Sequence, residues 1–250
     1  MKILVTNDDG IYAKGIDALV NHLIDKGHDI YVVAPDRERS ASGQAITLHH
    51  PLRTTKVLKW DKASAWAVDG TPTDCVKLGL SELIDEEVDL VISGINLGPN
   101  LGTDVLYSGT VSAAIEGAVS GVPAIAVSLA GTEKLDFSYS AKIACHYAEL
   151  MQKNKVPKDT LVNINVPTEK EDKIKGIKYT TLGKVRYNNP FQKREDPRGR
   201  PYYWLSGEVN QDISNEKSDV YAVSENYVSI CPIHFDFTNY RLLEIIEKWK

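Results

Sequence analysis

The strongest constraint in this sequence is the texture of its apolar runs. Ile3-Leu4-Val5, Ile30 to Ala34, Ala65 to Val68, Val88 to Ile92, Ala124 to Leu129 and Leu161 to Val166 are short, and most are near-continuous, with Val88 to Ile92 interrupted only by Asp89. A strand with one wet face alternates apolar and polar residues, and these do not. Near-continuous runs belong to parallel sheets covered by helices on both faces. Helical spacing fills the intervals. Ile16, Leu19, Val20, Leu23 and Ile24 share one face, and Gly27 ends that helix. Asp69-Gly70-Thr71-Pro72 turns into a helix carrying Val76, Leu78, Leu80 and Leu83. A small-residue helix from about Ser112 to Ser120 and another from Tyr139 to Met151 complete the alternation. The pattern predicts an α/β fold with a mostly parallel sheet, whose ligands gather beyond the carboxyl ends of its strands.

The texture changes after Asp172. Lys173 to Arg200 holds nine Lys/Arg against two Asp/Glu, with turn formers at Asn188-Asn189-Pro190 and Asp196-Pro197-Arg198-Gly199. The expected organisation is a core over residues 1–172, then an extended hairpin arm and a terminal helix over 173–250. Thr238 is a candidate N-cap for that helix, whose apolar residues are Leu242, Leu243, Ile245, Ile246 and Trp249. Such a helix docks on its own core or on a neighbour's. The basic run reads either as a solvated face or as a rim that attracts anionic substrates or a partner subunit.

Charge narrows the function classes. A formal net charge of −5 argues against a nucleic-acid polymer as partner, since such binders carry a basic balance. No run approaches the roughly 20 apolar residues of a membrane helix. The opening MKILVTNDDG lacks the apolar stretch of a signal peptide. Cys75, Cys145 and Cys231 are odd in number and widely spaced, which suits buried thiols in a reducing compartment, so a cytoplasmic location is expected. None has an arginine six positions on, as a cysteine-phosphatase loop requires.

The unusual loops mostly follow the strands. Thr6-Asn7-Asp8-Asp9-Gly10 places adjacent carboxylates after a buried strand. A hard divalent cation relieves their repulsion and desolvation, while the same residues also suit a plain turn with an aspartate cap. Pro35 to Gly43 offers the hydroxyls of Ser40 and Ser42, and two arginines, Arg37 and Arg39, that clamp an anion or pair with nearby acids. Ser93 to Gly102 has Gly or Pro at four positions, and its Asn96 carries an oxygen for a cation and an amide for a phosphate. Ser108-Gly109-Thr110 opens the small-residue helix, where free N–H groups and hydroxyls make an anion site. Ordinary capping by Ser108 or Thr110 is the alternative, and Gly109 with the small Ala113-Ala114 favours close ligand approach. Gly70 to Asp74 reads as a capped helix start with proline in the first turn, with a substrate-loop role as the alternative.

Taken together, NDDG, APDRERSASG, DGTPTDC, SGINLGPNLGTDVLYSGTVSAAIEG and VPAIAVS resemble the SurE family of survival-protein nucleotidases, across roughly Met1 to Leu129. The resemblance implies a Rossmann-like three-layer α/β/α core. It also implies one divalent metal ion per subunit (Mg²⁺ or Mn²⁺) and release of phosphate from nucleoside 5′- and 3′-monophosphates, with short polyphosphate as a further substrate. By resemblance, Asp8, Asp9, Ser40 and Asn96 are the metal ligands, and the C-terminal region forms a homodimer or homotetramer. Asp8, Asp9 and Asn96 are then the candidate catalytic residues, and Asn96, Ser108, Gly109 and Thr110 the candidate phosphate contacts.

Rival chemistries fit less well. The six histidines lie outside these motifs, which disfavours a phosphohistidine. A haloacid-dehalogenase aspartyl-phosphate needs Asp-x-Asp after the first strand, and this chain has Asp-Asp-Gly. Walker A and Gly-x-Gly-x-x-Gly patterns are missing. A non-catalytic nucleotide or anion sensor on the same fold, and a transferase using Asp-Asp for its metal, remain as alternatives.

Overall fold

The computed structural model describes residues 1–131 and 136–249. Its centre is a nine-stranded sheet. In chain order the strands begin β1 (Lys2–Thr6), β2 (Asp29–Pro35), β3 (Thr54–Val57), β4 (Ala63–Val68), β5 (Leu90–Leu97), β6 (Ala124–Ala130) and β7 (Leu161–Pro167). After β8 (Ile177–Tyr179) come the arm strands β9 (Val185–Asn188), β10 (Phe191–Glu195), β11 (Pro201–Leu205) and β12 (Glu208–Gln211), then β13 (Val228–Ile233). The sheet order is β3-β4-β2-β1-β5-β6-β7-β13-β8. All pairs from β4 to β7 are parallel; β3 on β4 and β13 on β7 are antiparallel. The chain steps outward from β1 through β2 to β4 on one side, and from β5 through β6 to β7 on the other. The topological switch therefore falls between β1 and β5, where a ligand crevice forms in open α/β sheets.

Two helical layers cover the sheet. On one face lie α1 (Lys14–Asp25) and α4 (Ser138–Asn154); on the other, α2 (Pro72–Leu78) and α3 (Gly109–Val119). In α1 the buried residues Ile16, Leu19, Val20 and Leu23 follow the i, i+3, i+4, i+7 spacing seen in the sequence. Each contributes about 2 kcal/mol by leaving water. In α2, Thr71 and Asp74 cap each other reciprocally, as the Gly70-to-Asp74 stretch suggested.

Residues 173–249 divide between the core and a projection. β8 and β13 extend the central sheet, and the short helix α5 (Asp219–Ser224) packs beside them. Between them β9 pairs with β12, and β10 with β11, in one long antiparallel hairpin exposed along nearly its whole length. The terminal helix α6 (Tyr240–Ile246) is capped by Asn239, whose side chain accepts from the Leu242 N–H, and not by Thr238. No residue of α6 is buried, so its apolar side chains do not dock on their own core. Among the described residues, no helix is long and apolar enough to cross a membrane.

Candidate active site

The loop after β1 delivers Asp8 and Asp9 to the switch point. Asp8 is buried, and its Oδ1 accepts the Thr110 hydroxyl at 2.5 Å. Its backbone carbonyl accepts the Arg39 N–H at 2.7 Å. Asp9 Oδ2 accepts the Leu97 N–H at 3.3 Å. The two carboxylates are thereby tied to the first turn of α3 and the end of β5. Burial raises the Asp8 carboxyl above its usual range, against the pull of Thr110. Burial and then the Asp8 charge push Asp9 up to about 6. A pair held out of water with no cation among its partners favours a positive ligand.

Asn96 owes its place to a break in the sheet. β5 runs further than its apolar pattern, through Ser93 to Leu97. Its register against β6 shifts between Ser93 (opposite Ala126) and Asn96 (opposite Ser128), which marks a bulge that turns the strand's end. Gly94, at φ +139°, permits this: a Cβ there would stand 2.3 Å from the Val127 carbonyl oxygen. The Asn96 amide donates to the Gly98 carbonyl at 2.9 Å.

The helix that receives the site starts earlier than its apolar pattern, at Gly109. Ser108 is the N-cap and accepts the Val111 N–H at 3.1 Å, which frees Thr110 to hold Asp8. Both hydroxyls that the sequence offered as caps are thus in use, for different tasks. At Gly109 a Cβ would lie 2.9 Å from both Asp8 Oδ2 and the Ser42 hydroxyl. Only glycine lets the helix start come that close. The Ser42 hydroxyl is buried beside Asp8 without a hydrogen-bond partner. Carboxylate, hydroxyl and amide oxygens form a donor set suited to a hard divalent cation, so these residues fit a metal such as Mg²⁺ or Mn²⁺.

Asp8, Ser40, Asn96 and Ser108 line one cleft of about 640 Å³. Asp9 joins it through Leu97, and Gly109 and Thr110 touch Asp8. Ser40 shares the cleft without bonding to either aspartate: its hydroxyl donates to Glu38 at 2.8 Å. Arg37 and Arg39 face Asp36, and Arg39 also donates to the Asp69 carbonyl, so both follow the acid-pairing alternative.

Supporting residues escaped the sequence reading. Asn100 donates to the Asn165 and Ser128 side chains and receives Asn163 and Asn165 on its carbonyl, all at 2.8–2.9 Å and buried. This pins the glycine-rich loop over β6 and β7. The signal was present in the β7 sequence LVNINVP, where two asparagines alternate within an apolar run. Asp219 accepts the N–H groups of Gly102 (2.8 Å), Gly183 (2.7 Å) and Val220 (2.8 Å). Burial raises its carboxyl, and those three donors work against the rise. Elsewhere, ligand atoms of His28, Cys145 and Glu149 lie within 4.8 Å of one another, outside the motif loops.

Comparison with known proteins places the chain in a family. The family model described as survival protein SurE matches residues 3–189, a span that carries every motif loop and the root of the arm. This chain belongs to the SurE family. A 5′-nucleotidase SurE of Pelotomaculum thermopropionicum is 56% identical over 253 residues, covering 99% of this chain and 95% of that one. One from Heliobacterium modesticaldum is 51% identical, covering 100% and 92%. The crystal structure of the SurE protein from Aquifex aeolicus superposes with a TM-score of 0.87 at 40% identity, covering 100% of this chain and 99% of that one. The SurE likeness thus extends through the arm and the terminal helix, well past the motif loops.

Proposed function

We propose that this SurE protein is a divalent-metal-dependent 5′-nucleotidase, a phosphomonoesterase acting on nucleoside monophosphates. The observation that carries the reading is the desolvated Asp8–Asp9 pair, bonded to the first turn of α3 at a contact only Gly109 permits. Full-length similarity to proteins named 5′-nucleotidase supports it. Asp8, Asp9, Ser40 and Asn96 would hold the cation, Mg²⁺ or Mn²⁺. When bound, it supplies charge neutralisation and Lewis acidity toward a phosphoryl oxygen and a water.

The chain's own residues do the rest. Thr110 fixes the Asp8 carboxylate, and the Leu97 N–H fixes that of Asp9. The N–H groups that open α3, at Gly109 and Thr110, lack intrahelical partners and sit at the positive end of the helix dipole. With the Asn96 amide and Ser108, they would hold non-bridging phosphoryl oxygens as charge shifts between them. Asp8 or Asp9 would accept the proton of the attacking water. The 3′-monophosphates and short polyphosphate fit the same phosphate cradle as further substrates. The exposed apolar side chains of the arm and α6 would pair with a second copy, giving a dimer or tetramer. The buried free thiols Cys75, Cys145 and Cys231 suit a reducing, cytoplasmic setting.

The test is phosphate release from a panel of nucleoside monophosphates and polyphosphate, with and without Mg²⁺ or Mn²⁺. Asp8→Asn is expected to lower kcat about 10³-fold, on the scale of losing one preorganised electrostatic group. Near-normal turnover in that variant, or activity that survives a chelator, would overturn the scheme. Nucleotide binding without phosphate release would turn the reading toward a sensor.

A further inference from the structure

His28, Cys145 and Glu149 meet at the rim of the sheet opposite to Asp8 and Asp9. His28 lies in the turn between α1 and β2, beside Asp29, which pairs with Lys2 at the amino ends of β2 and β1. Asp8 and Asp9 follow the carboxyl end of β1. Gly27, at φ +79°, makes the turn, and the His28 N–H closes it on the Leu23 carbonyl at 3.2 Å. Helix α4 packs on α1 and carries Cys145 and Glu149 as an i, i+4 pair on one helix face. One ligand atom from each of the three side chains lies within 4.8 Å of the other two. Among the described residues, this is the one such group of His, Cys, Asp or Glu that could hold a metal ion.

Ordinary packing leaves the group poorly satisfied. Cys145 is 1% exposed, and its thiol donates only a long, weak bond of 3.8 Å to Glu149 Oε1. His28 Nε2 is buried with no hydrogen-bond partner among the described residues, and Nδ1 stands 3.5 Å from the Met1 amino nitrogen. A buried ring nitrogen without a partner costs stability. Burial, and then the amino-terminal charge, lower the His28 pKa, which favours the neutral imidazole that binds metals. Burial, and then the Glu149 charge, push the Cys145 thiol up to about 11, so without an ion it is inert and no nucleophile. The surrounding charges are mixed, with Lys26 and the amino terminus against Asp29. Thiolate and imidazole select Zn²⁺ over Mg²⁺ or Mn²⁺, which prefer oxygen. Ligand atoms about 2.0–2.3 Å from Zn²⁺ stand roughly 3.5 Å from one another. The sulfur–oxygen separation is already close to that, and the exposed Glu149 is free to close the rest.

We propose that His28, Cys145 and Glu149 form a Zn²⁺ site, separate from the Asp8–Asp9 cation site, that clamps α4 to the turn between α1 and β2. Three protein ligands leave the fourth position to water. The thiol proton passes to solvent as the zinc–sulfur bond forms. The site is independent of the nucleotidase reading, since it shares no residue with the cleft.

The test takes the full chain, strips it of metal with a chelator and titrates it with Co²⁺, whose bond to a thiolate gives a charge-transfer band that oxygen ligands do not. The band is expected to saturate at one Co²⁺ per chain, to vanish on adding Zn²⁺ and to survive excess Mg²⁺. Asp8→Asn should keep the band and Cys145→Ser should remove it. Zn²⁺ should raise the melting temperature of the wild type and not that of Cys145→Ser. Losing a ligand outweighs losing an outer-shell partner, so His28→Gln and Glu149→Gln should each weaken Co²⁺ binding about 100-fold or more. Glu149 is exposed, so its variant tests the site even if the core change at Cys145 prevents folding. A wild type without the band would overturn the proposal, as would a band that persists in Cys145→Ser through Cys75 or Cys231. Unchanged Co²⁺ affinity in either glutamine variant would do the same. So would binding that never saturates at one ion per chain, the mark of an adventitious ion only.

Discussion

The loop at Asp8–Asp9 and the arm from Val185 to Gln211 reverse the usual placement of polarity in opposite ways. The loop takes carboxylates out of water and raises their pKa values. The arm leaves Phe191, Tyr203, Trp204 and Leu205 in water. Neither arrangement is favourable for the isolated chain. The loop is a concave, desolvated pocket that suits a small cation and a phosphate. The arm is a long two-stranded ribbon, a form that rarely holds its shape without further packing, and it suits a large apolar partner. The difference teaches where to look for each ligand: buried charge points to an ion, exposed aromatic surface to a protein.

The joint between the two regions is the place to break the comparison most severely. Asp219 holds the site loop at Gly102 and the base of the arm at Gly183 with the same buried carboxylate. Asp219→Ala strands three N–H donors, two of them buried, and is expected to destabilise the protein by about 3 kcal/mol, read as a lowered urea midpoint. Asp219→Asn separates the two attachments. Its amide oxygen can replace Oδ1 toward Gly183 and Val220, but its NH₂ would face the Gly102 N–H, donor against donor. The asparagine variant should therefore lose less stability and still loosen the site loop. Equal stability of all three proteins would mean that the arm and the site loop are held by other contacts.

Relieving the buried charge sharpens the comparison from the loop's side. The folded value for Asp9 of about 6 lies above the ordinary carboxylate value of about 3.9, so the folded state holds the proton more tightly. Without metal, stability is therefore lost as pH rises from about 4 through about 6, and the loss is complete above that. Asp9→Asn removes the titration. In the presence of a chelator at pH 8, this variant should be more stable than the wild type by about 2 kcal/mol, after discounting for partial exposure. The gap should close near pH 4. Thermal unfolding at the two pH values measures it, and a variant less stable at pH 8 would show that the ionised Asp9 is stabilised in place.

Much of this arrangement was legible in the sequence, and the losses have identifiable causes. The parallel core could be read because its strands are apolar on both faces. The loops could be read because buried strands rarely end in Asp-Asp-Gly. β3 gave no signal: TTKV is mostly exposed and sits at an edge. β8 and β13 were hidden because IKY is only three residues long and mostly exposed, and VSICPI lies beyond an arm whose texture is unlike the core's. The continuation of β5 through Gly94 was masked by glycine, which reads as a loop. Among the site residues, Asp8, Asn96 and Thr110 were legible as chemistry. The residues that hold the glycine-rich loop beside them were not, since Asp219 and the β7 asparagines reach Gly102, Gly183 and Asn100 across 36 to 117 residues of chain. The sequence shows little local reason for a buried carboxylate at 219, because two of the three N–H groups it serves, those of Gly102 and Gly183, are brought to it only by the fold.

The smallest effect is expected in the arm's outer hairpin, and it is the most informative about that half of the comparison. Trp204 is 60% exposed and pairs with Gln192 across the β10–β11 hairpin. It lies away from the bonds that staple the arm's root to the core, at Thr103 and Asp104. Trp204→Ser removes a large aromatic group that shields none of the buried core. At concentrations dilute enough for a single copy, the unfolding free energy should change by no more than about 0.5 kcal/mol. If the ring is covered by a second copy, the same substitution weakens assembly, and the apparent melting temperature becomes less dependent on protein concentration. Sedimentation across a concentration series separates the two readouts. A loss of monomer stability near 2 kcal/mol would mean that the arm folds back on its own chain and that its exposed aromatic residues serve the core after all.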